Sequence, residues 1–239
     1  MVRKIKKAAV IGSGVMGGGI AALLASAGIK TLMLDIVPFD LTEEEKKDPK
    51  ARNRMVKAGY DNLLTIQPAL LMQKKDIGLI SIGNLEDDFD QLADCDWIVE
   101  VVVENLKVKQ DLFARIDKVR KAGTVVSSNT SGIPLKAMSE GLSDDFRQHF
   151  LGTHFFNPVR YMRLLELVGR RGDGSEFPVE LSMRLMTGGT ISAQGEVGLL
   201  PEPVVGLSVT IDVLSPGLAH AHLLSLADVT FDSGSTFSV

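Results

Sequence analysis

A single cysteine, Cys95, is all the thiol the chain carries, so an internal disulfide is excluded. It lies in an acidic-apolar stretch with no histidine nearby, so no metal site is expected and a reducing cytoplasm fits best. An excess of base is also missing. The 26 Lys and Arg against 30 Asp and Glu give a formal charge of -4, with no basic surface of the kind nucleic acid selects. Uninterrupted apolar runs of membrane-spanning length are absent too. The stretch Ala8 to Ile29 imitates one: it is uncharged, follows basic residues, and contains Ala25-Ser26-Ala27, which resembles a signal-peptide cleavage site. Gly12, Gly14, Gly17, Gly18 and Gly19 break it as an apolar helix, so no membrane span is expected. Finally, Lys and Arg disappear after Arg184, where glycine and serine become frequent and no helical period is visible.

What remains is a chain of 239 residues, 45% hydrophobic, long enough for a core that needs no staples. Lys7 to Ile11 reads as a buried strand, Val15 to Ala27 as an apolar helix with Gly28 as its C-cap, and Thr31 to Ile36 as a second strand. Thr42 before three glutamates marks a helix start that Asp48-Pro49 interrupts, and Arg52 to Ile66 resumes a helix. Strands are expected at Ile77 to Ile82, Trp97 to Val103, Thr124 to Ser127, Phe150 to Phe156 and Arg163 to Val168, with a helix over Leu106 to Lys121. This alternation predicts an α/β fold with a doubly wound, mostly parallel sheet.

Gly12-Ser13-Gly14-Val15-Met16-Gly17 matches G-x-G-x-x-G, which is weak alone and stronger here. It follows a strand, opens a helix, and is followed eighteen residues after Gly17 by Asp35 at the end of the next strand. Gly12 permits the tight turn, Gly14 lets the backbone approach a pyrophosphate at the helix N-terminus, and Gly17 allows close helix-strand packing. A carboxylate at Asp35 would accept hydrogen bonds from ribose hydroxyls and repel a 2′-phosphate, which favours NAD over NADP in a Rossmann-like domain. The bland alternative is a structural glycine turn with Asp35 an ordinary strand-end residue.

Three further stretches place polar residues at strand ends: Val103-Glu104-Asn105-Leu106-Lys107-Val108-Lys109, Ser127 to Gly132, and Gly152-Thr153-His154-Phe155-Phe156-Asn157-Pro158 followed by Glu166. Together with the glycine turn they resemble the 3-hydroxyacyl-CoA dehydrogenase family over residues 2–168. Asp35-Ile36-Val37-Pro38 and Ser128-Asn129-Thr130-Ser131-Gly132-Ile133 are most similar to the large bacterial proteins that join this dehydrogenase to an enoyl-CoA hydratase-like region for fatty-acid β-oxidation. The resemblance implies NAD as cofactor, an acyl-CoA substrate and oxidation of its 3-hydroxyl. It makes His154 the general base, suited to that task by an unperturbed pKa near neutrality. It implies that Glu166 orients the imidazole, that Ser131 bonds the substrate oxygen beside the nicotinamide, and that Glu104, Lys109 and Asn157 lie near the ribose and nicotinamide. Arg52, Arg54 and Lys57 stand where the family holds CoA, although a basic run is more often a solvated helix face. Taken singly, His154 could be a core histidine, Glu166 a solvated strand residue and Ser131 a helix cap.

The family continues into another helix and strand, an Asp-Thr-Pro turn and a helical domain that closes the acyl pocket and often forms the dimer interface. None of those motifs is legible after Val168. The expected organisation is therefore a dinucleotide-binding domain at 1–168 and an irregular, unassigned tail at 169–239, which a truncated or frame-shifted reading frame would explain, with a divergent replacement domain as the alternative. Oligomeric state and acyl chain length stay open. The functional alternative is a dinucleotide-binding module with little or no turnover. A dehydrogenase of the 6-phosphogluconate type, which uses a lysine base, is disfavoured by the His154 and Glu166 pair.

Overall fold

The structure is a computed structural model that describes residues 3–162, 164–169, 177–185, 190–197, 207–210 and 226–233. Its strands are β1 (Arg3–Lys4), β2 (Lys7–Ile11), β3 (Lys30–Asp35), β4 (Ile80–Asn84), β5 (Trp97–Glu100), β6 (Val125–Ser128), β7 (Phe150–Phe155), β8 (Leu164–Gly169), β9 (Phe177–Leu185), β10 (Thr190–Val197), β11 (Leu207–Thr210) and β12 (Leu226–Ser233). The helices are α1 (Val15–Ser26), α2 (Pro49–Arg52), α3 (Arg54–Asn62), α4 (Leu106–Val119), α5 (Leu135–Met138) and α6 (Asp144–Gln148).

The main sheet runs β11-β8-β7-β6-β5-β2-β3-β4. Every pairing from β7 to β4 is parallel, and β8 and β11 add antiparallel partners at one side. This is the Rossmann-like, doubly wound sheet that the strand and helix alternation predicts. The chain moves from β2 outward to β3 and β4, then returns to place β5 on the other side of β2. Their carboxyl ends therefore flank the switch point, where such folds leave a crevice.

Strand β2 is apolar throughout because both of its faces are covered. Ala8 and Val10 pack with Ile20, Ala21 and Leu24 of α1, while Ala9 and Ile11 pack in a second cluster with Phe113 and Ile116 of α4 and with Phe146 of α6. Phe113, Phe146 and Phe150 meet at ring separations of 5.0 to 5.7 Å, joining α4, α6 and the start of β7 into one aromatic layer.

Local chemistry moves several expected boundaries. Thr42 and Glu45 do exchange capping bonds, yet they open only the 3-10 turn Glu45–Lys47. The Asp48 side chain accepts from the Lys50 N–H and starts α2. The expected strand at Ile77 begins later, at Ile80, because Gln73 and Asp76 cap one another and hold Lys74–Leu79 as a 3-10 helix. The strand expected to reach Val103 ends at Glu100, whose own carboxylate takes the Val102 N–H out of the ladder at 2.7 Å.

Beyond Gly169 the described stretches are extended and paired, where an irregular tail is expected. Strands β1, β12, β9 and β10 form an antiparallel sheet in that order, and β11 joins the main sheet against β8. In β9 the sequence has the period of a strand: Phe177, Val179, Leu181, Met183 and Leu185 alternate with Pro178, Glu180, Ser182 and Arg184.

Candidate active site at the carboxyl ends of the parallel strands

Gly12 leaves β2 with φ +108°, a conformation open to glycine. A Cβ there would stand 2.4 Å from the Val101 carbonyl oxygen, and one on Gly17 would stand 1.9 Å from that of Gly12. Gly14 differs, since nothing lies within 4 Å of where its Cβ would be. It is also the N-cap of α1 and supplies no side-chain capping bond, so the amide groups of the first turn face that open space. A backbone that approaches without a side chain, at the positive end of a twelve-residue helix, fits the pyrophosphate of a dinucleotide.

Asp35 ends β3 beside this turn. Its Oδ2 accepts the Ser13 N–H at 2.8 Å and the Ser13 hydroxyl, and its Oδ1 accepts the Ile36 N–H at 2.7 Å. A carboxylate accepts about four hydrogen bonds. Asp35 is therefore fixed in place with capacity left for a ribose hydroxyl. Helix α3 closes over the turn, with a Cβ on Gly59 falling 2.3 Å from the Ser13 carbonyl oxygen.

On the other side of the switch point, Glu104 lies half exposed between the ends of β5 and β6. It accepts from the Thr130 hydroxyl and pairs with the Lys109 ammonium at 3.2 Å. Partial burial alone would raise its carboxyl, but the Thr130 hydroxyl, the Lys109 ammonium and the Ser131 backbone N–H outweigh this and hold it below the usual value. Ser131 itself is exposed in the turn after β6. Lys109, expected near the ribose and nicotinamide, is only 1% exposed, and its ammonium also bonds both oxygens of buried Glu100, at 2.7 and 2.9 Å.

His154 and Glu166 face each other in register across the antiparallel pair β7 and β8. The His154 Nδ1 lies 2.8 Å from Glu166 Oε2. A carboxylate can only accept, so Nδ1–H donates, and in the neutral ring Nε2 is the nitrogen that carries the lone pair. The His154 ring also packs against Phe156, with centroids 4.6 Å apart and the planes tilted by 51°. Asn157 is exposed in the following turn, which Val159 seats against α1: a Cβ on Gly19 would come within 2.8 Å of the Val159 side chain.

The residues expected at the site thus lie at or just beyond strand ends on the carboxyl edge of the sheet, on the adjoining β8, or in the first turns of α1 and α4, which hold Gly17 and Lys109. The exceptions are Arg52, Arg54 and Lys57. Arg52 is clamped by Glu86 and Asp87, Arg54 pairs with Asp40, and Lys57 pairs with Asp61, so the run is no uncompensated basic patch. Ser13 and Glu100 are not singled out by the sequence, and Asn129 and Thr130 lie in the polar stretch Ser127 to Gly132 without a role assigned to either. Asn129 Oδ1 accepts the Phe155 N–H at 2.8 Å and so ties the end of β6 to the His154 strand. Ser13 occupies a variable position of the glycine motif and Glu100 sits in an apolar strand, so neither carries a motif signal.

Residues 7–186 match the family described as 3-hydroxyacyl-CoA dehydrogenase, NAD binding domain. That match runs past residue 168, where the resemblance read from the sequence stops. A protein named as a 3-hydroxyacyl-CoA dehydrogenase in Bacillus subtilis is 46% identical over 228 residues, 91% of this chain and 29% of that protein. A fatty acid oxidation complex trifunctional enzyme of Rickettsia felis is 45% identical over 168 residues, 70% of this chain and 22% of its own length. The chain thus spans less than a third of these two relatives. Among solved structures, the 3-hydroxybutyryl-CoA dehydrogenase of Escherichia coli K12 superposes with a TM-score of 0.52 at 29% identity, covering 68% of this chain and 32% of that one. No helix among the described residues is long and apolar enough to cross a membrane. The glycine turn, the strand-end carboxylates and the extent of the family match lead to one assignment: this chain belongs to the 3-hydroxyacyl-CoA dehydrogenase NAD-binding domain family, and its cofactor is NAD.

Proposed function

We propose that the chain carries the dinucleotide half and the acid-base machinery of an enzyme that oxidises 3-hydroxyacyl-CoA to 3-oxoacyl-CoA, as in fatty-acid β-oxidation in a reducing cytoplasm. The observation that carries this reading is the His154 and Glu166 pair, in which Nδ1 is tied to the carboxylate and Nε2 is the nitrogen turned away from it. His154 would take the proton of the 3-hydroxyl oxygen, and NAD, held by the glycine turn and Asp35, would supply the acceptor for the hydride of the carbinol carbon, so that the substrate would lose two electrons and two hydrogens. Glu166 stabilises the imidazolium and fixes its orientation. Ser131 bonds the substrate oxygen. Gly12, Gly14 and Gly17 admit the pyrophosphate, Asp35 takes the adenosine ribose, and Glu104 and Asn157 take the nicotinamide ribose and ring. Lys109 contributes by holding Glu104, since its ammonium is buried.

A second reading, a dinucleotide-binding module with little turnover, is favoured by one observation. Where the resemblance implies a helical domain over the acyl group, the described stretches are antiparallel strands. Hydride transfer requires the reacting atoms within roughly 3–3.5 Å, and such positioning supplies about 7–11 kcal/mol. Acetoacetyl-CoA reduction by NADH separates the two: turnover supports the enzyme, while NADH binding without turnover supports the module.

A further inference from the structure

Glu100 is fully buried at the end of β5, and no part of the proposed chemistry uses it. A buried carboxylate is costly unless paired, and replacing such a pair by apolar residues is often neutral, so stability alone gives little reason to keep one. Glu100 is paired completely. It accepts from Lys109 at both oxygens, from the Ser128 hydroxyl, and from the Val102 N–H at 2.7 Å.

These bonds close a ring. Ser128 also accepts the Thr130 N–H at 3.3 Å, Thr130 donates its hydroxyl to Glu104, and Glu104 returns to Lys109 at 3.2 Å. The Thr130 oxygen further accepts the Ile133 N–H at 3.0 Å, which shapes the turn bearing Ser131. One buried anion therefore sets the spacing between the end of β5, the end of β6 and α4.

We propose that Glu100 is a positioning residue for the nicotinamide half of the dinucleotide, holding Glu104 and the Thr130 to Gly132 turn at the separation that half requires. The inference rests on the reading that Glu104 and Ser131 lie along the nicotinamide and its ribose. The adenine half, served by the glycine turn and Asp35, lies outside the ring.

The test is a comparison of NADH with ADP, which lacks the nicotinamide and its ribose, by titration calorimetry on the full 239-residue chain. Glu100→Gln is expected to weaken NADH by about tenfold or more, the scale of a lost hydrogen bond to a charged group, with ADP affinity within about twofold of the parent. Ser128→Ala keeps both buried charges, and decides the matter if Glu100→Gln does not fold. It is expected to weaken NADH about threefold or more, again sparing ADP. Equal losses for both ligands, or no loss of NADH, overturn the inference. Glu104→Gln runs beside them. If it weakens NADH while Glu100→Gln does not, the inference alone fails. If Glu100→Gln weakens NADH while Glu104→Gln does not, Glu104 is misread and Glu100 acts through the Thr130 turn.

Discussion

Gly17 lies so close to Gly12 that a Cβ on the first would stand 1.9 Å from the carbonyl oxygen of the second, whereas Gly14 between them faces open space. The three motif glycines therefore do different work, and alanine substitution separates them. Gly17→Ala should destabilise the fold at or above the upper end of the about 1–3 kcal/mol typical of overpacking. Gly14→Ala should keep stability within about 1 kcal/mol yet weaken NADH at least about tenfold, because its methyl enters the space left for the pyrophosphate. Thermal melts and NADH titrations check both. Parental NADH affinity in Gly14→Ala would remove the pyrophosphate from that position.

Asp35, held by Ser13, is the proposed specificity element. NADH should bind at least about tenfold more tightly than NADPH, since a 2′-phosphate would meet the Asp35 carboxylate. Asp35→Ser should narrow the gap. Ser13→Ala, which removes the hydroxyl donor from Oδ2 and leaves the backbone N–H in place, should weaken NADH without improving NADPH. Equal affinity of the parent chain for both nucleotides, in fluorescence titrations, is the contrary result.

Cys95 is fully buried, and burial pushes its thiol up to about 11. It should resist a disulfide-exchange reagent at mildly alkaline pH until the chain unfolds, then react at once. Stoichiometric labelling of the folded chain within the mixing time would contradict the burial of Cys95 in the core cluster with Phe89 and Leu92.

Acid should act through Asp145. Burial raises its carboxyl, but the Gly123 N–H, the Arg120 guanidinium and His149 outweigh this and hold it below 3.8. A carboxylate lowered on folding contributes fully above its unfolded value and loses that contribution as pH falls through the folded one. Asp145→Asn should therefore melt below the parent by a constant margin above pH 3.8, with the margin closing beneath it. A margin that widens in acid would show the opposite linkage.

The parallel core and the cofactor turn were legible because their signals are local: β2 is an apolar run, the glycines fall at fixed offsets, and Asp35 follows at the right distance. The Gln73 and Asp76 cap was missed because a reciprocal side-chain bond displaces a strand by three residues without altering the apolar pattern. Glu100 was invisible for a different reason. A carboxylate in an apolar strand is intelligible only once Lys109, nine residues on, folds back onto it. Beyond Gly169, glycine and serine drew attention from the alternation in Phe177–Leu185, which the backbone follows.

In the proposed reaction His154, oriented by Glu166, moves the substrate proton at an NAD site. The most direct measurement is single-turnover oxidation of NADH by acetoacetyl-CoA with protein in excess, comparing the parent chain with His154→Ala and Glu166→Gln. NADH consumption is expected of the parent, with a rate about 10²-fold or more lower in each variant and NADH affinity nearly unchanged throughout. Parental rates in either variant would contradict it.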